Sequence, residues 1–203
     1  MKLYNSVGPN PRVVRVFASE LGLEVPQTTI DIMAGENREA AYRGVNPGAQ
    51  LPALELDDGR VVSEITAICE YLAEVAGGSA LIGETPEDRV ITRMWVRRID
   101  LKIVEPLTNG FRAAEGAPMF KDRMRILPQA ADDLKAMAQE GLSWLDALME
   151  GQDYVCGDRF SLADILLAVF LEFGGQVGQP MNPAHANIAA WHGRVKDRPC
   201  FSA

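Results

Sequence analysis

The sequence predicts an α/β domain followed by an all-α domain. Three observations carry this. Elements before about residue 80 are short and alternate between strand and helix patterns. The run Gly77-Gly78-Ser79 then breaks the chain. Beyond it the apolar spacing is helical, with no convincing strand.

In the first half, Leu3-Tyr4 reads as a brief strand. Pro11 to Leu21 reads as a helix, because Val13, Val14, Phe17 and Leu21 recur at helical spacing. Gly22 follows, where glycine closes a last turn. Gln27 to Ile32 is a second strand, and Arg38 to Arg43 a helical turn. Ala53 to Leu56 and Val61-Val62 are strands joined by Asp57-Asp58-Gly59-Arg60, a hairpin signal. Ser63 to Val75 is a helix with Ser63 as its cap. The order β-α-β-α-β-β-α implies one sheet covered by helices.

The second half opens with Thr85 as cap and Pro86 at the first helical position. Long helices are expected over Glu87 to about Ala114 and Phe120 to about Met149, bent by Pro106 and Pro128. Ser161-Leu162-Ala163-Asp164 is a capping signature before the apolar run Ile165 to Phe173, a helix buried on most of its surface. A last helix spans Asn187 to Lys196 and stops before Pro199.

Composition narrows the function. The chain has 203 residues, 47% apolar and 24% charged, as a soluble globular protein has. Its net charge of −8 disfavours nucleic acid and anionic membranes as partners. No apolar stretch approaches the roughly 18 residues of a membrane span. Met1-Lys2-Leu3-Tyr4 runs straight into a strand with no secretory pattern, so the expected compartment is the cytoplasm. Cys69, Cys156 and Cys200 form no CxxC pair, and Cys69 lies on the apolar stripe Ile65, Ile68, Leu72, Val75. His185 and His192 have no partner set, so no metal is expected.

Several motifs recur in order along the chain. Asn46-Pro47 stands ahead of Gln50-Leu51-Pro52; Ser63-Glu64 opens a helix; Ser161-Leu162-Ala163-Asp164 opens another. With them the chain resembles the soluble glutathione transferase superfamily over nearly its whole length. It resembles the bacterial-type members that lack a tyrosine or cysteine in the catalytic loop. The resemblance implies a thioredoxin-like glutathione-binding domain over residues 1–77, a linker over 78–86, and an all-helical domain over 87–203 that forms the electrophile pocket. It also implies a homodimer, with glutathione as co-substrate and a small hydrophobic electrophile as acceptor.

Site residues follow from the same resemblance. A cis Leu51-Pro52 bond would leave the backbone of Leu51 open to pair with the cysteinyl backbone of glutathione. Gln50 would reach the glycyl end. The Glu64 carboxylate would meet the γ-glutamyl amine, and backbone N–H groups of that turn would hold the γ-glutamyl carboxylate. The family commonly has Ser or Thr after this acid. Here Ile65 offers only its N–H, leaving Thr66 or Ser63 to supply a hydroxyl.

The thiol decides the chemistry. Free, it titrates near about pH 8.5, so only roughly a few per cent is thiolate at neutral pH. The family lowers that value in the loop that here reads Asn5-Ser6-Val7-Gly8-Pro9-Asn10-Pro11-Arg12. No tyrosine or cysteine stands there, and Gly8 falls where other classes have serine or threonine. Asn10, expected to cap the first helix ahead of Pro11, and Ser6 are the two candidates for stabilising the thiolate; otherwise each is a turn or cap residue. Arg12 heads the helix and faces either ligand or solvent. Tyr4 belongs to the core. Phe111, Arg112, Met119 and Phe120 suit either an apolar acceptor pocket or ordinary core.

Three activities are compatible with this reading. One is conjugation or dehalogenation of an electrophile. Another is glutathione-dependent reduction of a peroxide or disulfide. The last is a non-catalytic interaction module.

Overall fold

Leu3 and Tyr4 lie at the centre of a four-stranded sheet of order β2-β1-β3-β4. Its strands are β1 (Lys2–Asn5), β2 (Gln27–Thr29), β3 (Ala53–Glu55) and β4 (Val61–Ser63). The computed structural model describes residues 1–202. They divide into two compact units: Met1–Ile82 with residues 198–202, and Gly83–Asp197.

The first unit is the expected thioredoxin-like domain. β1 pairs parallel with β2 and antiparallel with β3, and β3 pairs antiparallel with β4. Helices α1 (Pro9–Glu20) and α3 (Ile65–Val75) pack together, and α2 (Ala40–Val45) follows a 3₁₀ turn at Glu36–Arg38. Of the apolar positions predicted for this helix, Val13, Val14 and Phe17 are buried and Leu21, at the C-cap of α1, is partly exposed; Ile68, Cys69 and Leu72 of α3 are buried. Cys69 is a core residue, and burial holds its thiol protonated. Tyr4 is core as well, its hydroxyl donating to Glu55 at 2.7 Å.

Three expectations for this unit are corrected. α1 begins two residues early, at Pro9. Its cap is Gly8, with φ of 113°, so Asn10 lies inside the first turn and caps nothing. Prolines suit a first turn because its N–H groups have no intrahelical acceptor, and Pro9 satisfies that as well as Pro11 does. Ser63 is the last residue of β4, and Glu64 occupies the cap of α3. β2 stops at Thr29, short of Ile32, because the chain turns at Asp31, whose carboxylate accepts the N–H groups of Met33 and Ala34.

The second unit is helical. α4 (Pro86–Ile99) carries the expected Thr85 cap, in a box with Asp88. The predicted helix through Ala114 is interrupted by a π-helical turn, Asp100–Val104, before α5 (Glu105–Ala113). Pro106 explains the interruption. It has no N–H for the carbonyl of Lys102 and its ring crowds that turn, so the chain widens to an i to i+5 bond from Glu105 to Asp100. The second predicted long helix is also divided. A short α6 (Ala117–Phe120) and a 3₁₀ turn at Pro128–Ala130 precede α7 (Ala131–Leu148). Pro128 therefore starts a turn where a kink was expected.

α8 (Leu162–Gln176) is buried almost all round, as its composition requires. Asp164, wholly buried, accepts from the N–H and hydroxyl of Ser161, the N–H of Val155 and Nε1 of Trp191, each within 2.9 Å. Burial pushes its carboxyl up, and these donors oppose that rise. α9 (Ala186–Val195) ends the unit.

Candidate functional site

Sheet register collects the predicted site segments. Tyr4 lies opposite Ala53, and Ala53 lies opposite Ser63. The end of β1, the start of β3 and the end of β4 therefore line one edge of the sheet. Each continues into a segment singled out above: Ser6 to Arg12, Gln50 to Pro52, and Glu64-Ile65. Both α1 and α3 start at this edge, so two helix N-termini, each with partial positive charge, meet there.

The Gln50-Leu51-Pro52 segment is held in a fixed shape. Leu51-Pro52 is cis, as the resemblance implied. Asn37 Nδ2 donates to the Ala49 carbonyl at 2.7 Å. Tyr42 and Asn46 donate to the Gln50 carbonyl at 2.8 and 2.9 Å, and Asn46 Oδ1 accepts the N–H of Gly48. Burial raises the Tyr42 phenol to about 12, so it stays a donor. The Leu51 side chain is buried in a cluster with Tyr4, Tyr42 and Ala53. Among the described residues its N–H and C=O carry no hydrogen bond. A fixed backbone edge with unused donor and acceptor is what a peptide ligand pairs with. Gln50 is exposed beside it.

At the start of α1, Ser6 is 4% exposed and donates its hydroxyl proton to the Ile30 carbonyl at 2.7 Å. That single proton is engaged within the fold. Asn10 is partly exposed, and its amide makes no hydrogen bond among the described residues. Pro9 and Pro11 carry no N–H, which leaves the N–H groups of Gly8 and Asn10 as the donors of the helix start. Arg12 turns toward the chain end, reaching the Phe201 carbonyl at 3.4 Å. Arg15 braces the loop from behind through Asn5 Oδ1 at 2.7 Å.

At α3, Glu64 is exposed and adopts φ of 72°, a left-handed conformation in a residue other than glycine. Such a conformation costs about 1–3 kcal/mol and is retained where a site requires it. Ser63 and Ile65 are partly buried beside it.

Two family models match, glutathione S-transferase N-terminal domain over residues 7–75 and C-terminal domain over 118–199. The chain belongs to the glutathione S-transferase family. Glutathione S-transferase 2 of Saccharomyces cerevisiae is 29% identical over 98% of this chain and 87% of that protein. Among solved structures, a glutathione S-transferase domain-containing protein of Marinobacter aquaeolei VT8 is 32% identical. It covers 99% of this chain and 100% of its own, with a TM-score of 0.93. Gtt2 of Saccharomyces cerevisiae is 28% identical over 100% of this chain and 99% of its own, also with a TM-score of 0.93. The chain is thus an enzyme of glutathione transfer at the level of its family.

No helix among the described residues is long and apolar enough to cross a membrane, and no cluster of three His, Cys, Asp or Glu among them would hold a metal ion. Sequence reasoning missed the braces Asn37, Tyr42, Asn46 and Arg15. Of these only Asn46 carried a signal, as part of Asn46-Pro47.

Proposed function

We propose that the sheet edge described above binds glutathione and ionises its thiol for attack on a small apolar electrophile. The observation that carries this is the convergence of the Leu51-Pro52 backbone with the N-termini of α1 and α3. Leu51 pairs with the cysteinyl backbone. Gln50 takes the glycyl end. Glu64 takes the γ-glutamyl amine, while Ser63 and the N–H of Ile65 flank the γ-glutamyl carboxylate.

Asn10 donates to the sulfur. Ionising most of the thiol at neutral pH needs its pKa lowered by about two units, or roughly 2.7 kcal/mol. A helix N-terminus supplies about 0.3–1 kcal/mol. A hydrogen bond to a charged group supplies about 1.5–3 kcal/mol. A donor is therefore needed, and Asn10 is the candidate whose protons are not already engaged. The thiol proton leaves to solvent, the sulfur lone pair forms the new bond to carbon, and the acceptor's leaving group departs with its electron pair.

In this reading the C-terminal unit, residues 87–203 in the sequence division, supplies the acceptor pocket. The protein acts as a cytoplasmic homodimer in detoxification.

The test is a pH titration of thiolate absorbance for glutathione bound to wild type and to Asn10→Ala. A bound pKa well below that of free glutathione, rising in the variant, supports the reading. Binding with no shift removes the nucleophilic role, and absence of binding removes the site. Turnover of chloroaromatics against hydroperoxides then separates conjugation from reduction.

A further inference from the structure

Arg112 of α5 is partly buried, and burial lowers its pKa, with no carboxylate among the described residues opposing the fall. Its guanidinium donates to Asn109 Oδ1 at 3.2 Å and lies 5.6 Å from the centre of the Phe120 ring. Among the described residues it makes no ion pair. The nearby acid, Glu115, is taken by Lys135 at 2.6 Å. Phe111 packs edge-on against both Phe120 and Phe173, at 6.0 and 5.3 Å. A guanidinium has five N–H donors, and a partly desolvated charge without a counter-ion is costly. The protein thus maintains an unneutralised cation against an aromatic wall.

We propose that Arg112 and Asn109, walled by Phe120 and Phe111, form an anion subsite in the second unit that takes the carboxylate of an aromatic acid. The guanidinium fork matches a carboxylate in shape, and its one charge matches a monoanion better than a phosphate dianion. The rings accept the apolar remainder of such a molecule edge-on. Resting on the transferase reading, the acceptor class is an electrophile that bears a carboxylate.

Calorimetry on the full chain, without glutathione, tests it with 1-naphthoate and its neutral methyl ester. Arg112→Met should weaken naphthoate about tenfold or more and leave the ester within about twofold. Asn109→Asp places an acid against the guanidinium and should weaken naphthoate similarly, without removing side-chain volume. Unchanged naphthoate affinity in both variants overturns the proposal. So does equal loss of both probes together with a lowered Tm, which would make Arg112 a packing residue. Because glutathione is absent, a failure here is distinct from a failure of thiol activation.

Discussion

Two side chains at the sheet edge have opposite relations to stability and function. Glu64 sits in a conformation that glycine adopts freely, at φ of 72°. Glu64→Gly should raise thermal stability, worth about 1 kcal/mol, while glutathione affinity falls. A Tm scan beside a glutathione titration checks both signs, and a fall in stability would remove the strain argument. Asn10→Ala should raise the pKa of bound glutathione by about one to two units with little change in Tm, since the Asn10 amide caps nothing. Gly8 shows why no hydroxyl residue stands there. A Cβ on Gly8 would meet nothing within 4 Å, yet φ of 113° excludes other residues by conformation alone.

Between elements, the Gln50 carbonyl is held by Tyr42 and Asn46 together. Tyr42→Phe leaves one of those donors in place and should cost about 1 kcal/mol. Asn46→Ala should cost more, because the same side chain also accepts from Gly48. A double-mutant cycle on glutathione affinity should show coupling, since both side chains brace one carbonyl. In the second unit α7 approaches the π turn closely. A Cβ on Gly141 would lie 2.2 Å from the Lys102 carbonyl oxygen, the group that Pro106 leaves without an N–H. Backbone cannot yield as a side-chain tip does. Gly141→Ala should therefore destabilise by about 3 kcal/mol, read as a shift in denaturant midpoint.

Across the whole molecule, charge and burial set the response to pH. Burial lowers the pKa of His192 below its ordinary 6.5. Its folded value is depressed, so the stability it carries is present above about pH 6.5 and is lost as pH falls through its folded value. Denaturant melts between pH 7.5 and 5 should show that decline, and His192→Gln should flatten it. The chain's last residues belong to the same balance. Arg198 pairs with Glu20 and Phe201 receives Arg12, so residues 198–202 run along α1 within the first unit. Cys200 lies buried among them, its thiol raised to about 12 by burial and Glu20.

Periodicity, turn residues and caps act over a few neighbouring positions. The strands, the hairpin, the Thr85 cap, the Ser161 capping signature and the two-class organisation were legible for that reason. Of the candidate site, the cis Leu51-Pro52 bond and the gathering of Gln50, Glu64 and Asn10 at one sheet edge followed from segments the sequence singles out. Neighbours distant in the chain decided the rest. Ser6 is engaged by Ile30, 24 residues away, and Lys102 meets Gly141 only once α7 packs on the π turn. The α1 start moved to Pro9 because the positive φ of Gly8 belongs to the turn leaving β1. Among the described residues Arg112 has no counter-charge, and no pattern of spacing records that. Local chemistry in the sequence therefore determined the elements and the family. Which donors, carbonyls and charges remain unpaired was settled only when packing brought remote segments together, because a hydrogen bond or ion pair depends on distance in space.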